Sequence, residues 1–302
     1  MRSQFDAQMT AAQFDTGRSD VAALNPDRQR PDMYVDQLSY RYPVWEAVNK
    51  GSLADSTPFV VPKFSAASGL VSDHTEGTEP TAGTYTATSQ TITPTAVSGK
   101  VEVTREAWEQ GGNPQLSGII WRQMVKAWYE SLEAAAVAVL DAATPSAIAL
   151  TAGGGTTGQT LDQEITAAFA ALQYVRGGFG FTDMFAQVDL YKALVAATDD
   201  NGRRLYPPMG PQNTSGSARP RYSAIDINGV TAVPAWALAA SGNVTASSYL
   251  FDREVVHGWA SAPQRLQFEY RVAYVDVAIW GYKATAITDV AGVREITYDP
   301  VA

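Results

Sequence analysis

His74 and His257 are the only histidines in the chain, and there is no cysteine. A zinc site would need carboxylates for most of its ligands, and no His-x-x-x-His or comparable spacing provides a first pair. Disulfides and thiolate ligands are excluded outright, which leaves the redox compartment open. Around Gly99-Lys100 a phosphate-binding loop would place its first glycine at Pro94 and its Ser/Thr at Val101, so it is ruled out. No Gly-x-Ser-x-Gly elbow occurs. Gly153 to Gly155 and Gly177-Gly178-Phe179-Gly180 read as chain punctuation. The carboxylate pairs Asp199-Asp200 and Glu76 with Glu79 fall in turn-rich stretches, where solvated charge is their ordinary role. With no nucleophile, base and orienting residue at a readable spacing, the chain is not read as an enzyme and no cofactor is expected.

The 302 residues are enough for two packed domains, and 45% hydrophobic with 18% charged residues is a globular composition. A net charge of −9 argues against tight gripping of nucleic-acid phosphates. The first thirty-odd residues interleave Asp6, Asp15, Asp20 and Asp27 with arginines and lack an apolar core segment, so no secretory signal is expected. The sequons at Asn213 and Asn243 are accordingly read as chance.

The dominant element is one long helix, predicted from Asn113 to about Ala143. Leu116, Ile119, Ile120, Met124, Ala127, Trp128, Leu132, Ala135 and Val139 recur at steps of three and four. Asn113 is the expected N-cap with Pro114 at the first helical position, and Thr144-Pro145 the stop. Arg122, Gln123, Lys126, Glu130 and Glu133 make it too polar for a bilayer span, so it reads as a structural spine. Trp121, Trp128 and Tyr129 are packing anchors in this reading, because no dense basic flank accompanies them.

Residues 1 to about 42 are polar and carry Pro26 and Pro31, too little apolar surface to fold alone. Met33, Tyr34, Leu38, Tyr40 and Tyr42 nevertheless give the segment something to dock. The short amphipathic piece PVWEAVNKG follows and stops at Gly51. From Pro58 to Val103, FVVPKF and TYTATSQTITPTAVSGKVEVT are strand-like around the polar tip SDHTEGTEPTAG, which predicts a long β-hairpin. Thr84, Thr86, Thr88, Thr91 and Thr93 dominate one strand, so the ribbon has no core of its own and must lean on something beyond its chain.

After the spine, TAGGGTTGQ suggests a domain boundary. A second helix opens on a Thr160–Gln163 capping box, carries Leu161, Ile165, Phe169, Leu172 and Val175, and ends at Gly177-Gly178. DMFAQV reads as a buried strand and LYKALVAATDD as a third helix stopped by Asn201-Gly202; PPMGPQNTSGSARP is a loop. Ile225 to Val233 is a hairpin turning at Asn228-Gly229. In LQFEYRVAYVDVAIWGYKATAIT, the apolar parity of Leu266 to Tyr274 reverses at Val275, Val277 and Ile279, which predicts a bulge, a bend or burial on both faces.

The order of polar arm, polar hairpin, spine helix, mixed α/β unit and closing strands resembles the major capsid proteins of tailed bacteriophages, with the Hong Kong 97-type fold. The likeness covers most of the chain. It rests on the hairpin running through VSGKVEVTREAWEQ into the spine, DDNGRRLYPP, GVTAVPAW and YRVAYVDVAIWGYKATAIT. The resemblance implies an α+β fold with an N-terminal arm at 1–57 and an extended loop at 58–103. It places a peripheral domain with the spine helix at 104–150, an axial domain at 151–263, and terminal strands at 264–302 that return to the peripheral domain. It further implies pentamers and hexamers forming a virion shell around double-stranded DNA in the host bacterial cytoplasm, with scaffolding, portal and decoration proteins as partners and no membrane. Asp73, Glu76 and Glu79 at the loop tip, and Tyr34, Tyr40 and Tyr42 in the arm, are the implied inter-subunit contacts.

Two departures from the family pattern matter. Some relatives cross-link a lysine near the loop tip to a neighbour's asparagine, but the tip from Ser72 to Gly83 has no lysine. Lys63 and Lys100 sit only at the base, so no cross-link is expected and the acidic tip should meet a neighbour's arginines. There is also no long helical scaffolding segment before the arm, which implies a separate scaffolding protein or a leading segment outside this numbering. Two other readings compete: an encapsulin-type nanocompartment, which has the same fold around enzymes, and a threonine-rich adhesive or carbohydrate-active surface protein.

Overall fold

The computed structural model describes residues 41–111, 115–150, 158–172, 174, 180–199, 201–206, 224–238, 247–266 and 268–298. The arm before Arg41, the Asn113-Pro114 cap, the glycine-rich link at 151–157, the helix stop at Gly177-Gly178 and most of the loop from 207 lie outside these residues.

In chain order the elements are α1 (Pro43–Ala47), β1 (Asn49–Ser52), β2 (Phe59–Ser68), β3 (Thr84–Ile92), β4 (Thr95–Thr104), α2 (Arg105–Gln110), α3 (Leu116–Ala142), β5 (Ser146–Leu150), α4 (Gly158–Leu172), β6 (Asp183–Ala186) and α5 (Val188–Ala196). They continue with β7 (Ile225–Ile227), β8 (Val230–Pro234), β9 (Ser247–Phe251), β10 (Val256–Ala260), β11 (Gln264–Arg265), β12 (Glu269–Tyr270), β13 (Tyr274–Ile287) and β14 (Val293–Tyr298).

The spine is α3, 27 residues and therefore about 40 Å long. Its start differs from the sequence expectation. A separate short helix, α2, ends on Gly111 in the left-handed conformation, and the spine begins after Gln115, whose side chain makes no capping bond. The stop is as expected: Thr144 adopts φ of 44° and Pro145 follows.

Two six-stranded sheets flank the spine. In the first, the long β13 pairs antiparallel with β4 along one edge, from Tyr274 opposite Thr104 to Lys283 opposite Thr95. Its other edge takes β12, β11 and β10 in turn, and β1 adds in parallel to β10. The second sheet has the order β5-β14-β9-β6-β8-β7. Its side chains alternate between two cores because successive residues of a strand face opposite ways. Phe185, Tyr249 and Phe251 join Met124, Trp128, Leu132, Ala136 and Leu140 of the spine, whereas Met184, Ala186 and Leu250 join Leu161, Ile165, Phe169, Leu190 and Leu194 of α4 and α5. Tyr249 also reaches the spine's end, donating its phenol to Asp141 at 2.6 Å. Burial and that carboxylate push the phenol well above its ordinary pKa.

One other difference has a simple cause. The strand expected from Thr84 through Thr104 is divided at Thr93-Pro94, because proline has no N–H to donate to a ladder; its first part stays with β2 and its second enters the main sheet. The parity reversal near Tyr274 falls at a bend, Val272-Ala273, where the chain turns back with Glu269 opposite Asp276 and the Arg271 N–H donating to the Tyr274 carbonyl at 2.8 Å; beyond it Val275, Asp276 and Val277 are all buried, so both faces are covered as the pattern allowed. The last strand, β14, lies between β5 and β9 of the second sheet. The Asn228-Gly229 hairpin forms where predicted, both residues having positive φ as a type I′ turn requires. The third helix forms as α5, capped by the Gln187 side chain, which accepts from the Asp189 and Leu190 N–H groups.

Gly281 is required by packing. A Cβ there would strike the Trp128 ring and the Ser261 hydroxyl, and Trp128 is only 3% exposed. Gly281→Ala should therefore lower unfolding free energy by about 1–3 kcal/mol in denaturant titration, as overpacked cores do.

Candidate assembly surfaces

The site residues fall in two regions, a protruding ribbon and the root of the leading arm. The ribbon is β2 paired with β3, a two-stranded sheet of its own, with a register shift between Phe64 and Ala66. Its base is anchored to the body by a small cluster in which Ile92, Ala284 and Ala286 are buried against Phe59, Val61, Leu53 and Trp259. Phe59 meets the Trp259 ring edge-on at 5.0 Å. Beyond that base the described side chains of β3 from Thr84 to Ser89 are exposed.

Asp73, Glu76 and Glu79 all lie in the exposed loop between the strands, around a turn where Gly77 has φ of 76° and the Thr78 N–H donates to the Thr75 carbonyl at 3.1 Å. Two residues the sequence reading passed over lead into the same loop. Leu70 is 59% and Val71 93% exposed, so the tip is apolar as well as acidic. Their signal was the apolar pair directly after Gly69, outside any amphipathic period. Lys63 donates to Gln90 across the ribbon at 3.2 Å, while Lys100 pairs with Glu102 at 2.6 Å and with Asp276 at 3.1 Å on β4 and β13. Neither lysine reaches the tip.

Tyr34 and Tyr40 lie outside the described residues. Tyr42 is placed on this subunit's own spine: its ring stacks on Tyr129 at 5.6 Å and its hydroxyl donates to the Lys126 carbonyl at 3.3 Å. Immediately after it, Glu133 makes the contact that fixes the arm's root. This spine carboxylate is fully buried, yet its two oxygens accept the backbone N–H groups of Val44 at 3.1 Å and Trp45 at 2.7 Å. These are orphan donors at the start of α1, which would otherwise be buried unsatisfied. Burial pushes the Glu133 carboxyl above the ordinary carboxylate range, and Glu46 adds to the rise, while the two N–H bonds oppose it. Val44 and Trp45 pack beneath into the main core, and Gly258 leaves the room the Trp45 ring needs. The sequence reading took Glu133 only as evidence against a membrane span. Nothing local to the helix could reveal its role, since its partners are 88 and 89 residues away.

The remaining candidates have structural settings. Burial lowers the pKa of His257, which stacks on Trp259 at 5.5 Å, and His74 stands exposed in the ribbon loop. Trp121 lies beneath the Arg265 guanidinium, which also covers Phe268 at 4.4 Å. Asp276 is buried with Lys100 and Arg271 at 3.1 and 3.0 Å from one oxygen, contacts that are ionic without hydrogen-bond geometry. Among the described residues no three His, Cys, Asp or Glu side chains are placed to hold a metal, and no helix is long and apolar enough to cross a membrane.

A packed two-sheet body with a spine, an arm root on that spine and a ribbon anchored at its base is the Hong Kong 97-type α+β fold. The chain matches the family model described as phage capsid protein over residues 87–299, and it belongs to that family. It is thus a structural, non-enzymatic protein of the virion capsid that assembles with itself into a shell. Solved structures agree in fold. The capsid of a native GTA particle superposes with TM-score 0.73 at 10% identity, covering 95% of this chain and 99% of that one. A chain of Gordonia phage Cozz gives 0.66 at 13%, with 94% of each covered. The holo-SrpI encapsulin complex of Synechococcus elongatus PCC 7942 gives 0.64 at 14%, covering 94% and 96%. No curated protein sequence matches the chain.

Proposed function

We propose that this chain is the major head protein of a tailed bacteriophage, assembling as pentamers and hexamers into a closed shell around double-stranded DNA. The observation that supports this best is the ribbon: two strands with a polar, exposed shaft and an apolar, acidic tip, for which an isolated hairpin in water has no stabilising surface. A neighbouring subunit supplies that surface. Assembly takes place in the host cytoplasm with scaffolding and portal proteins, and decoration proteins bind the finished shell. The net charge of −9 suits a container whose wall must release its DNA, because a basic lining would hold phosphates.

The encapsulin-type nanocompartment is the second reading, favoured by the encapsulin structure among the similar folds. Electron microscopy of purified particles, followed by nuclease treatment and extraction, separates the two. Closed shells with nuclease-protected DNA support the head protein; shells loaded with protein support the nanocompartment; small monodisperse particles overturn both.

Two expectations follow for the ribbon tip. Glu76→Lys with Glu79→Lys should reduce shell yield at least tenfold in sedimentation assays while leaving Tm unchanged, since both side chains are exposed within the subunit. Unchanged assembly would remove the acidic tip from the contact. Denaturing electrophoresis of assembled shells should give only monomer, because Lys63 and Lys100 are engaged away from the tip; a covalent ladder would contradict this.

A further inference from the structure

The first sheet and the spine are separated along part of their length by a trough. Between β4, β13 and the first half of α3 lies a cavity of about 530 Å³ with an apolar wall formed by Val97, Val101, Ile119, Ile120, Met124 and Ile279. From Ile119 to Ser131 it follows the helix for about 18 Å. Val101 stands opposite Val277 in the β4–β13 ladder, yet Val277 is fully buried and Val101 is 38% exposed, so the wall is open to solvent on the β4 side. A concave apolar space of this size with a few polar groups at one end is the usual form of a small-molecule site.

The polar groups lie at the Ser131 end. Ser131 lines the trough, and Lys283 of β13 donates to its hydroxyl oxygen at 2.6 Å and to its carbonyl at 2.9 Å. The Lys283 side chain is half-buried and no carboxylate offsets its charge: burial alone acts on the ammonium, lowering its pKa. Because the Ser131 oxygen accepts from the lysine, its own O–H remains to donate, and it has no acceptor among the described residues. Lys100, the other lysine beside the trough, is committed elsewhere. Side chains alternate along β4, so its ammonium lies on the opposite face of the sheet, with Glu102 and Asp276. An uncompensated cation and a free hydroxyl donor at one end of an apolar channel are complementary to one chemistry, an anionic head on an aliphatic tail.

We infer that the trough binds a medium-chain fatty acid, its carboxylate accepting from Ser131 and facing the Lys283 ammonium, its tail lying between β4 and the spine toward Ile119. This is a property of the single subunit and goes beyond the capsid reading without depending on it. Calorimetric titration of the full-length chain with decanoate tests it. Decanoate should bind at one per subunit, octanoate about tenfold more weakly because two methylenes leave the apolar wall, and decanol about tenfold more weakly because it lacks the charge. Lys283→Met should weaken decanoate to the level of decanol and leave decanol itself unchanged, the neutral probe reporting that the variant is folded. Val101→Phe, which fills the trough from its open side, should abolish all three. No saturable heat from decanoate, equal binding of decanoate and decanol by the parent chain, or binding that survives Val101→Phe overturns the inference. If Lys283→Met loses decanol as well, Ser131→Ala decides: a selective loss of decanoate supports the placement of the carboxylate, and an unchanged affinity overturns it.

Discussion

Glu133→Ala is expected to destabilise the subunit by about 2–4 kcal/mol and to free the arm's root from the spine. Two buried N–H groups would lose their acceptor, at a cost of about 1–3 kcal/mol each, and relief of the buried charge would return part of that. Thermal unfolding should shift down by several degrees, and limited proteolysis should begin cutting near Val44 and Trp45. Unchanged protease resistance there would show that packing of Trp45 alone holds the root. The pH dependence has a definite sign. Because the Glu133 carboxyl binds its proton more tightly folded than unfolded, the folded state carries more protons just above the ordinary carboxylate value. Its contribution is therefore most favourable at pH below that value and declines as pH rises through the raised one. Glu133→Gln, which cannot ionise, should gain on the parent as pH rises from the ordinary carboxylate value and level off once pH passes the raised one. The opposite slope would mean that the two N–H bonds outweigh burial.

Excising the ribbon should separate folding from assembly completely. Pro62 and Ser89 are directly opposed in the β2–β3 register, so residues 63 to 88 can be replaced by an Asn-Gly turn. Phe59, Val61 and Ile92, which tie the base to Trp259, Ala284 and Ala286, are retained. The shortened chain should keep the parent Tm within about a degree, because the deleted shaft contributes no buried core among the described residues. It should fail to form shells, sedimenting as free subunits or small capsomers. Shells of normal size and yield would show that the ribbon is dispensable, removing the main support for its inter-subunit role. A collapsed Tm would instead place the shaft within the subunit's own stability.

Much of the architecture was legible because its signals are local. The spine's period, the Asn-Gly hairpin and the buried DMFA strand each follow from a run of adjacent residues whose pattern suits one backbone geometry. The candidate assembly surfaces were legible only in part. Asp73, Glu76 and Glu79 stand out because a charged tip contrasts with a threonine-rich shaft. Leu70 and Val71 were missed because two apolar residues in a row carry no periodic signature. Glu133 was passed over because a glutamate in a helix is ordinarily solvated; its burial depends on a helix start some ninety residues earlier in the chain.

The amino-acid sequence alone determined the class of secondary structure along most of the chain, the absence of cysteine chemistry, and a ribbon too polar to be a core element. These follow from side-chain type and short-range spacing, which act before any distant contact forms. Tertiary structure decided which strands pair, that Thr93-Pro94 divides the ribbon from the main sheet, that the chain reverses at Arg271–Tyr274, and that one buried carboxylate holds the arm's root. Such choices depend on hydrogen-bonding partners far apart in the chain, whose worth is fixed only when folding removes both from water.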